Sequence, residues 1–229
     1  MNISVIIPVL NEASNIEKTL NHILSVSKQK ETLEIIIVDG GSTDNTKQII
    51  ELFPEVKYVL SIRGRSQQMN FGTQKATGDI LYFLHADSLP PIHFDTHILK
   101  AISQQHKAGC FKMKFDSNHP WLKLAGWFTK FNLKFFRGGD QSLFITKRLF
   151  KSLEGFDNDA VLFEDYLFIR KLYSNRTFHV IQKNIITSSR RYKENGIANL
   201  QYHYWVLYLK KWMGANSTEL KKYYRNHIK

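Results

Sequence analysis

The 229-residue chain holds one cysteine, Cys110, and only five prolines. A lone thiol cannot form an internal disulfide, which excludes the cross-linked scaffolds of small secreted domains and makes the cytoplasm the expected location. Cys110 sits in the strand-like stretch GCFKMKF, where a small buried hydrophobe is the expected role rather than a reactive thiol. Long apolar runs are missing as well. The longest reach about five or six residues, against the roughly 18 that a membrane-spanning helix needs. The opening MNISVIIPVLNE has neither a basic n-region nor a small-residue cleavage site, so no secretion signal is expected. Internal repeats, low-complexity tracts and linkers rich in Pro, Gly or Ser are absent, which argues for one domain spanning 1–229. Negative charge is scarce: 20 Asp and Glu face 32 Lys and Arg, a formal net charge of +12. That excess suits an anionic partner, be it nucleic acid, a phosphorylated substrate or an acidic membrane surface.

What is present reads as an α/β protein. The β-branched runs ISVIIPVL (3–10) and LEIIIVD (33–39) are too short and too apolar for helices and read as buried strands. Between them Ile16, Leu20, Ile23 and Leu24 recur at helical spacing, with Ser14 as the expected N-cap. A helix in STDNTKQIIELF, a strand at 56–60, a helix in SQQMNFGTQKA and a strand in ILYFL complete a nucleotide-binding half over 1–91, built on a parallel sheet. Beyond residue 91 the pattern predicts a helix over 93–105, a strand over 109–115, a short strand and helix after the glycines near 139, and a helix over 163–175. Two strand-like pieces, TFHVI and NIITSS, lead to helical patterns at 195–213 and 217–226. These divide into a second half, 92–192, and C-terminal helices, 193–229.

In parallel α/β sheets ligands bind beyond the carboxyl ends of the strands. Pro8, Asn11 and Glu12 follow the first strand; Asp39, Gly40, Gly41 and Ser42 the second; Arg63, Gly64 and Arg65 the third; His85, Ala86 and Asp87 the fourth. Any one group could be an ordinary turn, since Asp and Ser cap helices and open turns. Acids, amides, arginines and glycines at four successive strand ends point to a site. The turn after the first strand, PVLNEAS, contains no glycine, which excludes a dinucleotide oxidoreductase and argues against a nucleotidyltransferase.

In that order and spacing, SVIIPVLNEASNI, IIIVDGGSTDNT, ATGDILYFLHADS and GFDNDAVLFEDYLFIRKL resemble an inverting family 2 glycosyltransferase of the GT-A fold. GRSQQMNFGTQKATGDILYFLHAD, GGDQSLFITKRLF and TSSRRYKENG are similar to the small bacterial subgroup called transferase 2, rSAM/selenodomain-associated. The resemblance implies a Rossmann-like nucleotide-binding half in a mixed, mainly parallel sheet flanked by helices, with a helical C-terminus. It implies transfer of a sugar from a nucleotide-diphosphate sugar, commonly a UDP-sugar, to an acceptor hydroxyl.

By the same resemblance Asp39, with Gly40, bonds the nucleobase edge, and Pro8, Asn11 and Glu12 pack on base and ribose. Arg63, Arg65 and Ala86 belong to the donor site, and Asp87 is the metal-binding last acid of the DxD motif, with Mn²⁺ or Mg²⁺ as cofactor. The first acid of that motif is His85 here, and two roles stay open for it: a ligand that imidazole chemistry makes tolerable for Mn²⁺, or a contact to the ribose. Arg190 and Arg191 read either as a pyrophosphate clamp or as a solvated basic turn. Glu164–Asp165 matches the family's acid pair, with Asp165 as general base. Successive helical residues point about 100° apart, so only one of the two can face the site. Gly139, Asp140 and Gln141 fall on the acceptor side.

One segment resists this assignment. Over 120–137, Trp121, Leu124, Trp127 or Phe128, Phe131 and Phe135 fall at helical spacing, while Lys123, Lys130, Lys134 and Arg137 gather on another side. The pattern fits an amphipathic helix with its stripe in the core. It also fits an in-plane helix at an anionic membrane, with Trp205 and Trp212, serving an acceptor with a lipid tail at the inner membrane face. The rival from another class is a nucleic-acid- or membrane-binding protein on a non-catalytic GT-A fold. Acids at the strand ends would repel nucleic-acid phosphates, so no nucleic-acid partner is expected.

Overall fold

The computed structural model describes residues 1–137, 141–158, 164–175 and 177–228, with side chains for all of these except Glu164 and Ser217. Among them eight strands form one sheet: β1 (Ile3–Val9), β2 (Leu33–Asp39), β3 (Val56–Leu60), β4 (Ile80–Phe83), β5 (Ser88–Leu89), β6 (Ala108–Phe115), β7 (Leu143–Thr146) and β8 (Phe178–Thr187). The order across it is β3-β2-β1-β4-β7-β6-β8-β5. The first four strands are mutually parallel. β7 runs antiparallel to both β4 and β6, β8 returns parallel to β6, and β5 pairs antiparallel at the edge. The sheet is thus mixed, as expected, with its parallel part in the N-terminal half.

The helices are α1 (Ile16–Val26), α2 (Thr46–Ile50), α3 (Arg65–Lys75), α4 (Phe94–Ser103), α5 (Pro120–Phe128), α6 (Lys147–Ser152), α7 (Glu164–Ser174), α8 (Arg190–Asn195), α9 (Ile197–Trp212) and α10 (Ser217–His227). Side chains alternate across a strand. Val5, Ile7, Ile35 and Ile37 therefore meet Ile16, Leu20, Ile23 and Ile98 on one face. Ile6, Ile36, Val38 and Phe83 meet Met69, Phe150 and Phe168 on the other. A satellite core of Leu200, Leu207, Leu220 and Ile228 holds the C-terminal helices.

One close approach sets the depth of the site. A Cβ on Gly72 would stand 2.5 Å from Ile6 Cγ2 and 2.9 Å from Val38 Cγ2. α3 therefore lies against β1 and β2 with nothing between, although its sequence is largely polar. Buried Gln68 completes the contact, its Nε2 donating to the carbonyls of Val9 (2.8 Å) and Val38 (2.7 Å). The N-terminus of α3, with Arg65, is thereby brought to the carboxyl ends of the two strands.

Several expected boundaries move, each for a local reason. α1 begins at Ile16 with Asn15, not the expected Ser14, in the N-cap position. The Glu12 carbonyl takes the Asn15 and Ile16 amides, and the Asn15 side chain bonds the Glu12 carboxylate (2.7 Å), so no side chain caps the helix. The helix expected across 42–53 is only α2, because Asp44 holds the Thr46 amide and hydroxyl and the Ala13 amide, keeping 42–45 as a loop. The two C-terminal strand pieces are one ten-residue strand, β8. The expected helix at 195–213 is preceded by α8, which contains Arg190 and Arg191, and Gly196 at φ +79° separates the two.

The largest correction falls on 120–137. The helix ends at Phe128. The Thr129 hydroxyl donates to the Gly126 carbonyl (2.6 Å) and accepts the Met113 amide (2.8 Å), turning the chain away toward a short 3₁₀ turn, Lys134–Phe136. Inward go Leu122 and Gly126, while Leu124, Trp127, Phe131 and Phe135 of the expected buried stripe are exposed. Arg137, expected among the solvent-facing cations, is buried. Its guanidinium donates to the Thr129 carbonyl (2.7 Å), to the Phe131 carbonyl and to Gln141 Oε1 (2.5 Å). Cys110 is the buried hydrophobe expected; burial pushes its thiol up to about 11.

Candidate functional site

The carboxyl edge of the parallel strands opens into a cleft lined by Pro8, Glu12, Arg65, His85, Ala86, Asp87, Arg190 and Arg191. The far wall is Phe115, Thr187, Ser188, Tyr192 and Tyr204. Residues of three of the four expected strand-end groups, from β1 and the loop after it, α3 and the β4–β5 loop, thus converge with α8, while Asp39, Gly40, Gly41 and Ser42 are not among the lining residues. Short β5 pins the loop after β4: Ser88 and Leu89 pair with Thr187 and Ile186, and Thr19 donates to the Ala86 carbonyl (2.6 Å). His85 and Asp87 are held half-buried in the cleft wall.

Among the described residues, ion pairs of Arg190 and Arg65 cross the site. Arg190 meets Glu12 at 3.5 Å, joining α8 to the loop after β1. Arg65 meets Asp165 at 3.4 Å, joining α3 to the first turn of α7. The second pair places the expected base next to a cleft-lining arginine, 100 residues away in sequence. Glu164 opens α7, but its side chain lies outside the described set, as do Gly139 and Asp140 altogether. Gln141 is buried away from the cleft, its amide donating to the Phe136 carbonyl (2.5 Å) and its oxygen accepting from Arg137. Arg63 is exposed on the loop between β3 and α3 and is not a cleft-lining residue.

Asp39 is buried and fully engaged. Its Oδ1 accepts from the Gly41 amide (3.0 Å), the Ser42 amide (2.8 Å) and the Ser42 hydroxyl (2.8 Å), while Oδ2 accepts from Tyr58 (2.9 Å). Four donors match the roughly four lone-pair sites of a carboxylate. Burial and this bond push the Tyr58 hydroxyl up to about 12, so it stays a donor. Asn11, at φ +56°, closes the loop from the other side: its amide donates to Ser42 (2.9 Å) and its side-chain oxygen accepts the Thr43 amide (2.8 Å). The loop after β2 is therefore a knitted structure, with Asp39 as its knot.

Asp116 was missed by the sequence reading. It comes directly after β6, and its Oδ1 accepts the Ser189 amide at 2.7 Å, one residue before Arg190. Burial opposes its charge, but hydrogen bonds from Ser189 prevail and hold the carboxyl below the usual range. Extending the strand-end inventory past the fourth strand would have found it. Tyr192 and Tyr204 had no such signal, since their helices meet the cleft only through the tertiary fold.

The donor set fits a divalent cation of one kind. Among the described residues no three His, Cys, Asp or Glu side chains cluster as a protein cage. Asp87 and His85 share the cleft with three arginines, so a divalent cation held here would take most of its ligands from water and from a bound anionic group.

The family model for glycosyl transferase family 2 matches residues 4–162. The chain belongs to glycosyl transferase family 2. Among curated family members, AglE of Haloferax volcanii is 40% identical over 94 residues, 38% of this chain and 31% of that protein. The poly-beta-1,6-N-acetyl-D-glucosamine synthase of Staphylococcus aureus is 32% identical over 92 residues, 38% of this chain and 22% of that protein. The matched stretch is under a third of either relative's length. Staphylococcus aureus TarS 1–349 in complex with UDP superposes with a TM-score of 0.65 at 21% identity, covering 82% of this chain and 60% of that one. The Pyrobaculum calidifontis mannosyltransferase PcManGT, in complex with GDP-Man and Mn²⁺, superposes at 0.66 and 21%, covering 90% and 60%. The fold is the GT-A fold of this family. Among the described residues no helix is long and apolar enough to cross a membrane.

Proposed function

We propose that the protein transfers a sugar, with inversion, from a UDP-sugar to an acceptor hydroxyl, in the cytoplasm and with a divalent cation. One observation carries this reading: Asp87 and His85 face Arg65, Arg190 and Arg191 in one cleft, with Asp165 tied to Arg65 at 3.4 Å. The enclosed part of the cleft is about 90 Å³, against roughly 300–1,000 Å³ for a pocket that swallows a small ligand whole. It suits the diphosphate end of a donor, with base and ribose extending toward the loops that carry Asn11 and Asp39–Gly40. TarS in its UDP complex and the mannosyltransferase in its GDP-Man and Mn²⁺ complex support a nucleotide-sugar donor and a metal.

Asp87, with His85 either beside it or on the ribose, would hold the cation, which when bound neutralises charge on the departing diphosphate. Arg65, Arg190 and Arg191 bring positive charge to the same leaving group, whose charge grows as the bond to the sugar breaks. The acceptor oxygen attacks the anomeric carbon from the opposite face, the bond to the diphosphate oxygen breaks, and the hydroxyl proton passes to Asp165. Both cleft-crossing ion pairs are partly solvated, and such pairs contribute only about 0–1 kcal/mol, so a diphosphate can redirect Arg65 and Arg190 at small cost. The subgroup similarity stands with this reading and adds no substrate.

Calorimetric titration with UDP, GDP and their sugars, with and without Mn²⁺, tests it. Binding of UDP species strengthened at least about tenfold by Mn²⁺ is expected. Binding of none of them would refute the donor assignment.

A further inference from the structure

We propose that the surface built by α5, the loop to Arg137 and the outer side of α9 docks on an anionic lipid bilayer. α5 lies flat on β6, since a Cβ on Gly126 would come within 3.0 Å of the Met113 carbonyl. Its outward side and the loop after it expose Leu124, Trp127, Phe131, Leu133 and Phe135, the last at 77%. These side chains are not loosely displayed. Trp127 contacts Phe128 and Phe131 at 5.2 Å, Phe128 stacks on Phe136 at 5.2 Å, and the buried Arg137 guanidinium pins the loop from beneath. The same guanidinium donates to buried Cys110 and Gln141, so it ties the exposed aromatic cluster to the core.

α9 extends the surface. Trp121 meets Trp205 edge-on at 6.2 Å and donates to Gln201 (3.2 Å). On α9 itself Trp205, Leu209 and Trp212 stand exposed, Trp212 at 83%. Patches of this kind are uncommon on monomers and mark docking sites. The charge identifies the occupant. Neither 120–137 nor 197–213 contains an Asp or Glu, while Lys123, Lys130, Lys134, Lys210 and Lys211 lie within them. The Lys130 ammonium sits 3.6 Å over the Trp127 ring, the pairing of cation and indole that an interfacial helix presents to lipid headgroups.

A second copy would set these lysines against themselves across a two-fold axis, at a cost. A single-stranded nucleic acid would stack bases on open ring faces, but Lys130 covers that of Trp127, and Leu124, Leu133 and Leu209 offer no stacking. The inner side of α9 gives the surface its meaning. Tyr204 lines the cleft, and Tyr208 packs edge-on against Tyr166 at 6.1 Å, next to Asp165. A bilayer on this surface lies beside the cleft mouth, so an acceptor held by an apolar tail would arrive there; that last consequence, unlike the docking, rests on the transfer reading.

The test is sedimentation of the full chain with vesicles of phosphatidylcholine alone and of phosphatidylcholine mixed with phosphatidylglycerol. Partition onto the anionic vesicles is expected, weakening at least about tenfold between about 50 mM and 500 mM salt. W127S/F135S and K130E/K134E should each lose at least about tenfold of it, with melting temperature and UDP titration unchanged. All four side chains are on the surface, so the variants fold. No partition at low salt, wild-type partition by both variants, a dimer that W127S/F135S dissociates, or tighter retention on single-stranded RNA than on vesicles would each overturn the proposal. UDP titration of the same samples reports the donor site separately, so failure of one reading does not pass for failure of the other.

Discussion

Replacing Asp39 separates two roles that a buried carboxylate at the loop after β2 could have: knot of the loop or ligand of a nucleobase. Four donors converge on it: two amides and a hydroxyl on Oδ1, and the Tyr58 hydroxyl on Oδ2. In Asp39→Asn the remaining oxygen can keep the three loop donors, and the new amide can donate to a rotated Tyr58 hydroxyl. What goes is the charge assistance, offset by no longer burying a carboxylate, so about 1 kcal/mol is lost and Tm falls about 2–4 °C. In Asp39→Ala all four donors lose their acceptor. Gly41 and Ser42 can reach water, whereas Tyr58 is half-buried, so the loss is about 3 kcal/mol in all, and Tm falls about 6–12 °C. Thermal unfolding by circular dichroism measures both, and calorimetry with UDP on the same samples measures the loop. If Asp39 acts as the knot, UDP affinity tracks stability: near wild type in Asp39→Asn, and reduced at least about tenfold in Asp39→Ala. An Asp39→Asn protein with unchanged Tm that has lost UDP binding would refute the argument, making Asp39 a direct ligand of the base that gives up a loop donor when the nucleotide arrives.

Three further outcomes are expected. Asp87→Ala should abolish the Mn²⁺-dependent part of donor binding; calorimetry finding unchanged affinity and unchanged metal dependence removes the cation from Asp87. Asp165→Asn should lower turnover at least about 10²-fold with donor affinity near wild type, while full activity there and a comparable loss in Glu164→Gln would transfer the base to Glu164. Asp116→Asn should weaken donor binding severalfold by releasing Ser189 and hence Arg190. The Asp116 carboxyl is depressed below its ordinary 3.8, so its contribution to stability is full above that value and is lost as pH falls through the folded pKa. The stability gap between wild type and Asp116→Asn, measured by thermal unfolding, should accordingly be constant from neutral pH down to about 5 and close in stronger acid.

Strands and strand ends were legible because burial on both faces leaves a sequence no alternative. Runs such as IIIVD have one reading, and in a parallel sheet the residues just past their carboxyl ends have one destination. That logic pointed to Pro8, Glu12, Arg65, His85 and Asp87, which line one cleft with Arg190 and Arg191. It could not say that Asp39 would be saturated by its own loop, since that depends on Tyr58 from the neighbouring strand. It also passed over Gln68 and Gly72, whose importance appears only when α3 is laid on β1 and β2. The segment 120–137 failed for a different reason. Spacing counts positions along an assumed helix, and Phe131 and Phe135 kept helical spacing after the helix had stopped. A hydroxyl at Thr129 able to satisfy both the Gly126 carbonyl and the Met113 amide ended it. Apolar periodicity tells which residues share a side of an element, but whether that side meets a core depends on what else the chain can supply to cover it. Here α5 turns Leu122 and Gly126 toward β6, and the larger side chains at 124, 127, 131 and 135 are left facing out. Of the two readings the spacing left open, the one that put this stripe in the core is the one the exposure of Leu124, Trp127, Phe131 and Phe135 removes.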